Sequence, residues 1–151
     1  MRYDFKNDGD SMNVNSLDRF VEAQDRTYDL ALREVGLGHK RSHWMWFIFP
    51  QLRGLGKSRM AYVYGISNLD EAREYLAHPI LGERLARICE LLLNVGEKSA
   101  GDIFGDIDEM KLCSSMTLFA MVSDENSVFH RVLDKFYDGE YDPLTVSLLK
   151  K

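Results

Sequence analysis

What this chain has little of narrows it first. Only two of its 151 residues are cysteine and only three are proline. Cys89 and Cys113 each lie in an apolar-periodic segment, so they read as buried free thiols and exclude a disulfide scaffold. No apolar run approaches the roughly 20 residues of a membrane span. The start, Met1-Arg2-Tyr3-Asp4-Phe5-Lys6, lacks the apolar centre of an export signal. These absences give the expectation of a cytoplasmic protein with no membrane partner. Disorder is not expected outside the ends either, because 45% of the residues are hydrophobic and 28% charged, which is ordinary for a globular chain long enough to bury one proper core.

A sharper absence concerns carboxylates. The net charge of −5 argues against a nucleic-acid partner, RNA included. Yet no Asp or Glu stands between Glu34 and Asp70. That window holds Lys40, Arg41, Arg53, Lys57 and Arg59, with His39 and His43. Burial alone would exclude lysine and arginine as well as acids. A positive region within an acidic chain points instead to a small anionic partner.

Strand patterns are also missing, and helical ones fill the chain. Residues 1–15 are polar and turn-rich, and read as a loose N-terminal arm. From 16 to 151 the pattern is that of a single all-helical domain. Leu17, Phe20, Val21, Gln24, Tyr28, Ala31, Leu32 and Val35 fall at spacings of three and four, a stripe that Asn15 or Ser16 can cap and Gly36 and Gly38 can end. The run Trp44–Phe49 is apolar throughout. With no second strand-like run to pair with it, it reads as a buried helix between a Ser42 cap and Pro50. Further helices are expected over 58–64, 68–77 (capped by Ser67 with Asp70), 79–95, 106–122 (capped by Asp106 with Glu109) and 127–138, opened by Asn126. A last one begins at Asp142-Pro143. All eleven glycines and three prolines read as boundaries. The fold class is all-α, one compact domain of six to eight helices with short loops.

The chemistry is harder to find. Gly56-Lys57-Ser58 matches the tail of a phosphate-binding P-loop, but the pattern needs a glycine where Gln51 stands, and a parallel strand before it. What remains is a glycine-containing turn in which Arg53, Lys57 and Ser58 at a helix start can hold an anion. His39 and His43 stand four residues apart, but both cysteines and the other two histidines lie far from them in sequence, so neither metal nor cofactor is indicated. No G-x-S-x-G elbow occurs. Three polar features sit awkwardly in apolar surroundings: His43 beside Trp44, His78 before Pro79, and Ser114, Ser115 and Thr117 inside a helix that otherwise looks buried. Each has an ordinary structural explanation in a satisfied hydrogen bond.

The words "FVEAQ" (20–24), "HWMWFIFPQLRGLGKS" (43–58), "YLAHPILGERL" (75–85) and "DEMKLCSSMTLF" (108–119) resemble a bacterial family catalogued as domain of unknown function 1810. Its members are sometimes labelled "calpastatin", although nothing here resembles that inhibitor's disordered repeats. The resemblance spans roughly residues 17 to 150. It implies an all-helical fold and brings no established activity. It also marks polar positions within the shared words: Gln24, His43, Gln51, Gly54, Gly56, Ser58, His78, Lys111, Ser114, Ser115 and Thr117. Two functions are therefore expected to compete. In the first, a pocket takes an anionic, nucleotide-like small molecule for hydrolytic or N-glycosidic chemistry. Arg53, Lys57 and Ser58 hold the anion there, Trp44 or Trp46 stacks on a planar group, and His43 or His78 carries a proton. In the second, the aromatic 43–52 stretch is a protein-interaction surface.

Overall fold

Helix caps decide the architecture. The structure, a computed structural model, describes residues 13–151. Residues 1–12 of the expected arm lie outside that range. Within it Asn13 opens a turn, with Ser16 N–H donating to its carbonyl at 3.0 Å. Eight helices follow among the described residues: α1 Asp18–Gly36, α2 Met45–Ile48, α3 Arg59–Val63, α4 Leu69–Ala77, α5 Leu81–Leu93, α6 Ala100–Ala120, α7 Val128–Tyr137 and α8 Pro143–Leu149. The side chains of Ser58, Asn68, Ser99, Ser127 and Asp142 each accept a backbone N–H at a helix start, which satisfies donors the helix itself cannot.

Several starts differ from the sequence reading by one residue or more. Asn68 caps α4 in place of Ser67, whose N–H and hydroxyl both turn to Glu71 Oε1 at 2.8 and 3.1 Å. Ser127, not Asn126, caps α7. Ser42 does not cap α2, because its hydroxyl donates to Glu34 Oε2 at 2.6 Å. α6 begins at Ala100, with Ser99 and Asp102 in a reciprocal capping box. The expected start near Asp106 is where the helix resumes after a break at Gly105. Two glycines are not boundaries but lie inside helices, Gly82 in α5 and Gly101 in α6.

The apolar stripes then find one another. Leu81, Leu85, Ile88, Cys89 and Leu92 recur at spacings of three and four on α5 and are all buried. That face packs between α1 and α7, while α4 lies along α5 and α6 packs on α7. Residues 114 to 120 of α6 are buried on every side, so this half is the central helix of the fold. Trp44, Phe47, Ile48 and Phe49 are core, as their run of apolar letters implied. Of the two free thiols, Cys89 is buried and Cys113 only half-buried.

Two polar devices tie the helices together. Arg19, on α1, donates from Nε to Val63 O at 2.7 Å and from Nη2 to Gly65 O at 2.8 Å, and pairs with buried Glu71 at 3.2 Å. It thereby fastens α1 to the chain after α3 and to α4. That chain also returns on itself: a parallel bridge joins Leu52 and Ile66. Arg53 N–H donates to Ile66 O at 2.7 Å and Ile66 N–H to Gln51 O at 2.9 Å, giving the segment 52–66 a closed neck. No helix among the described residues is long and apolar enough to cross a membrane.

Candidate functional site

The turn 51–58 does not assemble the expected anion clamp. Arg53 is a brace: Nε donates to Tyr62 O at 2.9 Å, Nη2 to Val14 O at 2.9 Å, and the guanidinium carbon stands 4.6 Å from the Tyr62 ring centroid. Ser58 Oγ accepts from Ala61 N–H at 3.1 Å. Lys57, Gly54 and Gly56 are exposed, and α3 is too short a helix to carry much dipole at its start. The three residues assigned to the anion thus point to different tasks.

Most of the other polar positions in the shared words hold the fold. Gln24 is buried, its Nε2 donating to Phe47 O at 2.8 Å and to Tyr75 Oη at 2.9 Å. His78 joins two helices, with Nδ1 accepting from Ile80 N–H at 3.1 Å and Leu81 N–H at 3.3 Å. Ser114 Oγ donates to Asp142 Oδ2 at 3.0 Å, and Thr117 Oγ1 accepts from Asp142 N–H at 2.8 Å, so both anchor the start of α8. His78 Nδ1 is therefore engaged in helix capping and lies away from the other candidate residues. Trp44 loses its role as a stacking platform: it is wholly buried, and its indole N–H donates to Glu34 Oε1 at 2.9 Å.

Glu34 is itself a keystone. Its buried carboxylate accepts from Arg41 N–H (2.9 Å), Ser42 N–H (3.0 Å) and Ser42 Oγ–H (2.6 Å) besides the indole. Burial pushes the acid up, but the hydrogen bonds from Ser42, Arg41 and Trp44 outweigh it and hold the group down to about 2. A carboxylate with that many donors is held as the anion. The loop 40–44 is fixed by it.

That loop runs past the break in α6. Gly105 has φ 83° and ψ 169°, a region in practice open only to glycine. Lys40 N–H donates to Ile103 O at 2.7 Å, just before the break. Beyond it, Lys40 Nζ meets Asp108 Oδ2 at 2.8 Å and donates to Ser42 O at 2.5 Å. Between loop and helix opens a groove of about 450 Å³, lined by His43, Trp46, Phe104, Ile107, Lys111 and their neighbours. Lys111 Nζ lies 5.1 Å from the Trp46 ring centroid and 3.8 Å from Asp108 Oδ1. Asp108 neutralises Lys40 at the shorter distance, which leaves Lys111 the more available cation, and Asp106, which also lines the groove, lowers the local potential.

A second, narrower crevice of about 10 Å³ adjoins the groove and shares Met45, Trp46 and Lys111 with it. Gln51, Met60 and Tyr64 are among its other walls. His43, Gln51 and Lys111 are thus gathered around Trp46, while Gln24, His78, Ser114 and Thr117 are not. Ser115 is fully buried, and its hydroxyl has no hydrogen-bond partner. Among the described residues no group of three or more His, Cys, Asp or Glu side chains is placed to hold a metal ion. Sequence reasoning missed Asp106, Asp108 and Met60 as parts of this site. The one signal for the first two was Gly105, a glycine between two helical halves.

No curated protein matches the chain. Among solved structures it is similar to the conserved hypothetical protein Rv1873 from Mycobacterium tuberculosis. The TM-score is 0.87 and the sequences are 51% identical, over 89% of this chain and 96% of that one. The sequence profile of a family described as "Protein of unknown function (DUF1810)" matches residues 14–149. With nearly every described residue inside that match, the chain belongs to the DUF1810 family.

Proposed function

We propose that the protein binds a small anionic molecule in the groove between the 40–46 segment and α6. Lys111 is the charge contact, the Trp46 ring is the wall, and His43 is the group able to exchange a proton. The observation that carries this reading is convergence: His43 and Lys111 line the groove with Trp46, Gln51 lines the adjoining crevice, and among the described residues none of the three side chains makes a hydrogen bond, unlike Gln24 or His78. Hydrolytic or N-glycosidic chemistry would draw on His43 with Asp106 in the same groove, and binding comes before either.

A thermal-shift series with phosphate and sulfate tests the reading. An anion at ten times its dissociation constant contributes about 1.4 kcal/mol, or about 4 °C for a domain of this size. Lys111→Ala removes that shift and Lys57→Ala keeps it. If no anion moves the midpoint at millimolar concentration, the groove has no such ligand. Ile107 and Met110, 73% and 67% exposed on α6, would then favour a protein-interaction face there. The 43–52 stretch is too buried to serve as one.

A further inference from the structure

The Trp46 indole is a partition. It lines both the open groove and the narrow crevice, as Met45 and Lys111 do. As it stands the crevice has room for about one water molecule. Its walls are unusually yielding, since Met45 and Met60 are unbranched thioethers that repack easily and Trp46 rides on the four-residue α2.

Among the described residues, one polar group lining the crevice and one a helical turn along α6 from its Lys111 wall lack hydrogen-bond partners. Gln51 lines the crevice, and among the described residues its side-chain amide makes no hydrogen bond, although it carries two donors and an acceptor. Ser115 lies one helical turn beyond Lys111, on the same face of α6. Thr117 and Ser123 each give their hydroxyl to the carbonyl four residues back, and Ser114 gives its own to Asp142. Ser115 has no such partner, and a buried hydroxyl left without one is a destabilising arrangement.

We propose that the crevice is the second half of the anion groove, opened when Trp46 is displaced, and that it takes an uncharged heteroaromatic ring attached to the anion. The ligand class is then nucleotide-like. The ring stacks against Trp46, its polar edge meets the Gln51 amide and the Ser115 hydroxyl, and the anionic group stays on Lys111. This inference rests on the anion reading above. It adds a ring that a bare anion lacks.

Titration calorimetry with the four ribonucleoside monophosphates, ribose 5-phosphate and inorganic phosphate separates the two claims. At least one nucleotide is expected to bind ten or more times tighter than ribose 5-phosphate. Gln51→Ala and Trp46→Ala are expected to erase that margin, bringing nucleotide affinity down to that of ribose 5-phosphate in the same variant. Ser115→Ala is expected to narrow the margin without lowering the melting midpoint, which shows that the variant folds. Nucleotides that bind no tighter than ribose 5-phosphate overturn the ring subsite and leave the anion groove standing. A margin that survives in both Gln51→Ala and Trp46→Ala also overturns it. Absence of binding by all the probes overturns both claims.

Discussion

In sequence Glu34 looks like one more charge in the last turn of an amphipathic helix. In the fold it is nearly inaccessible and carries the loop that forms one wall of the groove. Its acidity, held down to about 2 against an ordinary value of 4.5, corresponds to about 3 kcal/mol of folding free energy. Because the folded-state value is the lower one, that contribution is complete above about pH 5 and fades as the pH falls toward about 2. Glu34→Gln is expected to lower stability by about 3 kcal/mol at pH 7, since an amide turns a donor toward donors. Urea denaturation should show the gap to the parent protein closing near pH 2. A gap of the same size at both pH values would mean that the carboxylate charge is irrelevant. Nothing periodic could have revealed this residue. Its partners, Arg41, Ser42 and Trp44, lie one loop later, and loop geometry leaves no trace in helical spacing.

Helices were legible in the sequence because caps and glycines announce their ends, and Ser58, Asp142 and Gly38 act where such residues usually act. The reading failed where glycine serves packing. A Cβ added at Gly82 would lie 2.1 Å from the Leu76 carbonyl oxygen, a backbone atom that cannot step aside, so this glycine is what lets α5 start tight against the end of α4. At Gly101 the same Cβ would meet only the flexible end of Glu109, at 3.4 Å or more. The two alanine substitutions should therefore have opposite signs. Gly82→Ala is expected to destabilise by about 2 kcal/mol or more, overpacking outweighing better helix propensity. Gly101→Ala is expected to stabilise by about 0.5 kcal/mol. Thermal unfolding of the pair checks this, and losses of similar size in both would remove the packing explanation. Gly105 was read as an ordinary boundary, and it does break a helix. Spacing could not tell that the same helix resumes and that the break opens onto a groove.

Over the whole molecule, the carboxylate-free window turned out to be divided. It supplies Lys40 and His43 to the groove, Arg53 to a brace and Lys57 to the open surface. The excess charge is legible in the sequence but its distribution is not, because distribution depends on the return of the chain at Leu52 and Ile66. That closed neck bears on the integrity of the backbone itself. Everything between its two edges leaves and re-enters the protein at one place, held there by the Arg53–Ile66 and Ile66–Gln51 hydrogen bonds and by buried Ala61 and Val63 on α3. A cut at exposed Lys57 would create two new ends, each already anchored on its own side of the cut. Limited trypsin treatment is expected to yield a nicked protein whose two pieces migrate as one on a native gel and part only in denaturant. Pieces that separate at once would show that the neck does not hold them. If they stay together, the covalent bond after Lys57 is dispensable to the fold, and the chain could begin and end there instead.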